Sequence, residues 1–184
     1  MSLKKKIARW ALSQLPESAL VGLVQLRGKF QVEHYDADGV KKGTYDFSNG
    51  ITNVGKNLIL DVMFNDGVAI ANNSWFVGLI DNSGFSALAA TDTMSSHAGW
   101  NEFTSYSEGT RVAWGSGAAA SQSTTNASPA TFNINGSGTV YGIFVNSNST
   151  KSGTTGTLWS TAAFSATVGV TNGDQLKITY TVSA

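Results

Sequence analysis

The chain has 184 residues, enough for one β domain with an appendage, and its 12 Lys and Arg balance 12 Asp and Glu to a formal net charge of zero. Charged residues are only 13% of the chain, against roughly 25% in an average soluble domain, and Gly, Ser, Thr and Asn replace them, so little charge repulsion separates neighbouring copies. The lack of cysteine excludes a disulfide framework, a thiolate nucleophile and a cysteine metal site, and no apolar run reaches the ~18 residues of a membrane-spanning helix.

Leu3, Ile7, Trp10, Ala11 and Leu15 fall near helical spacing, with Lys4, Lys5, Lys6 and Arg9 toward the other side, which predicts a short basic amphipathic helix over residues 3–15. Gln14, Pro16 and Glu17 break the stretch after the basic start, so no signal-peptide core is expected there. Pro16 ends that helix and, with Glu17, suits the first turn of a second one. The run from Val21 to Leu26 fits either its continuation or a strand. Nine of the twelve Lys and Arg lie at or before Lys56, whereas seven acids lie from Asp61 to Asp174. The chain thus divides into a basic N-terminal helical arm, residues 1–27, and a mildly acidic body, residues 28–184.

Alternation from Lys29 to Tyr35, followed by Asp36-Ala37-Asp38-Gly39, predicts a β-hairpin returning through Val40 to Phe47. Thr52 or Asn53 then suits the cap of a helix through Val54, Leu58, Ile59, Val62 and Met63, stopped at Asn65-Asp66-Gly67 and expected to bury its apolar stripe. Beyond it the period becomes two. Strands are predicted over residues 74–81, 111–114, 129–134, 139–146, 164–170 and 175–182, with Gly136-Ser137-Gly138 and Asn172-Gly173-Asp174 as hairpin turns between the last pairs. Residues 115–128, nearly all Gly, Ala, Ser, Gln, Thr and Asn, fit either a flexible loop or a small-residue strand packed against another chain. The fold class expected is mainly β, an antiparallel β-sandwich or jelly-roll-like domain, with the basic N-terminal helical segment and one helix near residues 53–64.

Titratable chemistry is sparse. Only Asp92-Thr93-Met94-Ser95-Ser96-His97-Ala98-Gly99-Trp100-Asn101-Glu102 brings Asp, Ser, His and Glu together, and a hydrolase centred on His97 is one reading of it. No Gly-x-Ser-x-Gly elbow and no second histidine at ligand spacing accompany it, so the expectation is a structural His97, no catalytic residue, no metal and no cofactor. Trp75, Trp100, Trp114 and Trp159 would suit a platform for stacking sugar rings, or a buried core. Lys4, Lys5, Lys6, Arg9 and Trp10 are the candidate partner-binding residues. A zero net charge and a single interleaved aromatic favour a protein partner over nucleic acid or membrane.

The run Asn49-Gly50-Ile51-Thr52-Asn53-Val54-Gly55-Lys56-Asn57-Leu58-Ile59-Leu60-Asp61-Val62-Met63-Phe64 resembles small virion proteins of tailed double-stranded DNA bacteriophages. Trp75-Phe76-Val77-Gly78-Leu79-Ile80-Asp81, His97-Ala98-Gly99-Trp100-Asn101-Glu102-Phe103 and Arg111-Val112-Ala113-Trp114 are similar to the same group, and the resemblance runs from about Phe30 to the C-terminus, leaving residues 1–25 outside it. It implies a non-enzymatic virion protein made in the bacterial host cytoplasm. The role expected is capsid decoration, as a homo-oligomer, a trimer favoured, held on the major capsid protein at the capsid surface by the basic helix. The alternative is a tail- or fibre-associated module that binds a host glycan or receptor.

Overall fold

The computed structural model describes residues 25–71 and 74–184, so the predicted helix over residues 3–15 and the candidate docking residues Lys4, Lys5, Lys6, Arg9 and Trp10 lie outside the described residues. In chain order the elements are β1 (Arg27–Tyr35), β2 (Lys41–Ser48), β3 (Gly50–Ile51), α1 (Asn53–Phe64), β4 (Phe76–Asp81), β5 (Glu102–Phe103), β6 (Val112–Ala113) and β7 (Ser123–Thr125). β8 (Ala130–Asn133), β9 (Gly138–Asn146), β10 (Leu158–Val170) and β11 (Gln175–Ser183) complete them. One sheet has the order β2-β1-β11-β7, with β8 also on β11; the other has the order β3-β10-β9-β4-β5, with β6 also on β4. All the pairings are antiparallel, and the two sheets face each other as a mainly β sandwich.

The hairpin of β1 and β2 forms where alternation predicts it. Asp36 closes its turn by accepting from the backbone N–H groups of Asp38 (3.0 Å) and Val40 (2.8 Å), and Gly39 takes φ 78°, a left-handed value that glycine adopts without a Cβ clash. Phe30, Val32 and His34 point inward from β1, and Leu176, Ile178 and Tyr180 do so from β11. They meet Val77, Leu79, Val140, Ile143, Val145, Ala162 and Phe164 from the second sheet.

Strands β4 and β9 do not alternate; each carries a run buried on both faces. The outer face of the second sheet is covered by a satellite core of Ile80, Phe144, Leu158, Met94 and Trp100, with Val54, Phe85 and Leu88 packed on it. Residues 82–101 therefore act as a partial third layer. This is why the apolar run of β4 is continuous, and why Gly78 stands there: a Cβ would lie 2.2 Å from the Phe144 ring.

Two predicted turns need correction. Gly136-Ser137-Gly138 and Asn172-Gly173-Asp174 do not close hairpins: β8 pairs with β11, whereas β9 and β10 pair with each other. Both tripeptides carry the chain from one sheet to the other. Turn residues fix a change of direction, not the sheet that the next strand joins. The predicted strand over residues 164–170 is the second half of β10, beyond an irregularity between Ala163 and Val168 that shifts its register against β9. Residues 115–128 hold a tight ribbon. Ala120 and Ser123 exchange backbone hydrogen bonds of 2.9 and 3.0 Å, Ser121 and Gln122 take φ 50° and 59° as in a mirror-image hairpin turn, and β7 pairs with β11 of the same chain.

Helix α1 occupies the predicted span. Thr52 is the cap: its hydroxyl oxygen accepts from Gly55 N–H (3.1 Å) and its O–H donates to the Leu158 carbonyl. At the other end Asn65 and Gly67 N–H both reach the Asp61 carbonyl at 2.9 Å, with Asp66 at φ 54°. The expected burial of its stripe is corrected: only Gly55 is buried, Val54, Leu58, Ile59 and Val62 are half-buried, and Met63 is exposed. Contact is made through glycine. A Cβ on Gly55 would lie 2.7 Å from the Trp159 carbonyl oxygen, so the helix backbone rests directly on β10 and the long side chains splay to its flanks.

Candidate functional site

Most side chains able to do chemistry are engaged with one another or with backbone. His34, 2% exposed, donates from Nε2 to Asp174 Oδ2 at 2.8 Å, and Lys42 Nζ reaches the same oxygen at 3.0 Å. Thr171 adds its backbone N–H (3.0 Å) and hydroxyl (3.2 Å). Burial alone would raise the Asp174 carboxyl; the bonds from Thr171, His34 and Lys42 outweigh it and hold the group at about 2. The cluster ties the crossover from β10 to β11 onto the first hairpin. His34 was legible as an inward residue of β1; its partner was not, because Asp174 reads locally as a turn residue.

Arg111 forms the second cluster. Its guanidinium is buried and bidentate on Glu102, Nε to Oε1 at 2.9 Å and Nη2 to Oε2 at 2.7 Å. It also donates to the carbonyls of Asn148 (3.0 Å) and Gly153 (2.9 Å) and lies 5.0 Å from the Phe144 ring centre. Ser152 N–H donates to Glu102 Oε2 at 2.8 Å. The pair thus clamps the loop after β9 to β5 and the start of β6.

A cleft of about 230 Å³ opens beside it, lined by Met94, His97, Trp100, Asn101, Glu102, Arg111 and residues 152–154. His97 stacks on Trp100 with ring centres 3.8 Å apart. Its Nδ1 lies 3.0 Å from the Trp100 carbonyl oxygen, which can only accept, so Nδ1 carries a proton. Asp92 instead receives the Trp100 indole N–H (3.0 Å) and the Ala89 N–H (3.0 Å). Glu102 belongs to Arg111. The Asp, Ser, His and Glu that are close in sequence are therefore not joined into a relay, and among the described residues no group of three His, Cys, Asp or Glu is placed to hold a metal.

The four tryptophans separate. Trp100 and Trp114 are 1% and 7% exposed, and the Trp114 indole donates to the Tyr180 carbonyl at 2.9 Å, so neither offers a face to a sugar. Trp75 and Trp159 are half-buried and meet edge to face at 6.1 Å. The Trp159 indole donates to Tyr180 Oη at 2.8 Å, where Asn49 Nδ2 also donates at 2.7 Å. Burial pushes the Tyr180 phenol up to about 12, against the opposing bonds from Ser160, Trp159 and Asn49.

Outward apolar side chains concentrate on α1 and just beyond it, with Val40 apart in the first hairpin turn. Leu60, Met63, Phe64 and Val68 are 54%, 66%, 80% and 86% exposed. At about 100° per residue, Leu60 and Phe64 lie on the side of the helix opposite Gly55, with Met63 at its edge, among Asn53, Lys56, Asn57 and Asp61. Asp61 and Asp66 border this patch and Lys56 lies one turn before it, all exposed. The chain also enters the sandwich here: Asn49 N–H donates to the Gly28 carbonyl at 3.1 Å, four residues before α1 begins. The exposed Leu60, Phe64 and Val68 were missed in the sequence, where a helix this apolar reads as buried. No protein-family model matches the chain and no curated protein was found similar to it.

Proposed function

We propose that the protein is a non-catalytic virion structural protein of a tailed bacteriophage, a decoration protein bound to the outside of the capsid. The observation that supports this most is the outer side of α1, where Leu60, Met63 and Phe64 stand exposed with Val68 just beyond, in a chain whose first residues carry Lys4, Lys5, Lys6 and Arg9. Cationic and apolar groups on a weakly charged chain suit docking on an acidic protein lattice, the cations steering approach and fixing orientation. The sandwich then covers joints between capsomers, with copies related by the lattice symmetry and a trimer favoured.

Removing residues 1–15 is expected to free the protein from purified particles of the phage that encodes it while the sandwich stays folded by circular dichroism. Retention at full occupancy overturns the docking. Copy number by gel stoichiometry separates this reading from the tail- or fibre-associated one: decoration requires amounts close to those of the major capsid protein. The half-exposed pair Trp75 and Trp159 is the observation favouring a glycan- or receptor-binding module. That reading gains if copies are few and a Trp75→Ala variant loses binding to host-cell envelope glycans.

A further inference from the structure

We propose that three copies of the chain meet through the outer sides of their α1 helices, which run parallel around a three-fold axis with Leu60 and Phe64 toward it and Lys56 of each copy beside Asp61 of the next. This deepens the decoration reading and rests on it only for the preference for a trimer.

Leu60 is 54% exposed, Met63 66% and Phe64 80%, and Val68, just past the helix, 86%. At about 100° per residue, Leu60 and Phe64 form one stripe that continues back through Asn57 and Asn53, the a and d spacing of helices that pack on one another. Lys56 and Asp61 flank the stripe, one on each side, five residues and ~140° apart on the helix, and both are exposed. In heptad terms they are a g and the following e, the positions that meet between parallel neighbours, so around a cyclic cluster each lysine finds the next copy's aspartate. An antiparallel pair would bring like flanks together, lysine to lysine and aspartate to aspartate. Asn57 inside the stripe suits such a seam, where one polar side chain fixes register at some cost in stability.

Met63 decides between two copies and three. It stands beside Lys56 at the edge of the stripe, a position left at the rim of a two-helix seam and covered when each helix has two neighbours. Area points the same way. The exposed parts of Leu60, Met63, Phe64 and Val68 amount to on the order of 500 Å² per copy, so three copies bury ~1,500 Å², the size of an ordinary specific interface, where a pair buries ~1,000 Å², near its lower bound. With a formal net charge of zero, the copies do not repel one another on approach.

Sedimentation equilibrium of the purified full chain at micromolar concentration is expected to give three times the chain mass of 19.3 kDa. Leu60→Asp combined with Phe64→Asp is expected to give monomers with an unchanged circular dichroism spectrum, since neither side chain serves the sandwich core. Lys56→Asp and Asp61→Lys are each expected to raise the dissociation constant at least ~tenfold, and the two together to restore it to within ~threefold, because the exchanged charges meet again in a parallel cluster. A native chain that is monomeric, its α1 covered by another part of the chain or by a different partner, overturns the proposal, as does a dimer. A trimer indifferent to the aspartates, or charge variants that show no loss and recovery, also overturns it. Where the aspartates unfold the chain, the charge variants on exposed positions decide alone. A trimer that fails to bind particles leaves this contact standing and overturns capsid decoration, whereas a monomer that decorates particles does the reverse.

Discussion

Replacing Glu102 by Gln removes one charge from the clamp around Arg111 and keeps its shape. Arg111 is 1% exposed and the Glu102 side chain 6%, so solvent does little to compensate the guanidinium once its partner is neutral. Two bonds between charged partners, at 2.9 and 2.7 Å, become at most one bond to a neutral amide oxygen, and Ser152 N–H faces a weaker acceptor. Breaking a buried pair by neutralising one member costs about 3–5 kcal/mol; the retained bonds to Asn148 and Gly153 place this case near the lower end, at about 3 kcal/mol. For a domain of this size that is a fall in Tm of about 6–12 °C. The assay is urea unfolding of Glu102→Gln, Arg111→Met and the double variant, completed as a cycle. Each single change should be costly, and the double variant should recover all but the ~1–2 kcal/mol left by the unpaired Asn148 and Gly153 carbonyls. A Glu102→Gln cost under ~1 kcal/mol, or costs that simply add, refutes the clamp.

Gly55→Ala reverses an ordinary sign. An alanine inside a helix normally adds up to ~1 kcal/mol of stability, but here the Cβ would press on the Trp159 carbonyl at 2.7 Å, so unfolding should show a loss of about 1–2 kcal/mol. For Asp174 the folded pKa of about 2 lies below the ordinary value of 3.8. Its contribution, about 2 kcal/mol, is therefore present above pH ~4 and lost as pH falls toward 2, a dependence that denaturation of Asp174→Asn should lack. Tyr180 runs the other way. Its phenol, raised to about 12, favours the fold below the ordinary value near 10 and loses that contribution as pH rises toward 12. An ultraviolet titration in which Tyr180 ionises at or below 10, by difference from Tyr180→Phe, contradicts its burial.

The hairpin of β1 and β2, the span of α1 and the positions of β4, β8, β9 and β11 were legible because each rests on local information: alternation, a cap, a turn. What the sequence hid is non-local. Gly136-Ser137-Gly138 reads as a hairpin turn whether the chain folds back within a sheet or crosses to the other, and only the pairing of β8 with β11 decides between them. Asp174 and Glu102 look like solvated acids until the fold brings His34 and Arg111 to them across 140 and 9 residues. The exposure of Leu60 and Phe64 is illegible for the opposite reason. Periodicity counts apolar residues and cannot say how many sides of a helix the rest of the chain covers.

The placement of the polar knots bears on recognition. His34, Lys42 and Asp174 fix the crossover from β10 to β11, Asn49 on Tyr180 fixes the passage from β2 to β3, and Glu102 with Arg111 fixes the loop after β9. Each sits where the chain leaves one sheet or turns sharply, and each uses groups that would otherwise be free to bind a ligand. A sandwich fixed in this way has little freedom to close around a small molecule, and large-scale recognition falls to surfaces outside its two layers. The second sheet already carries one such surface as its partial third layer. The outer side of α1 is the other, and its outward side chains Leu60 and Phe64 are not used by the sandwich core.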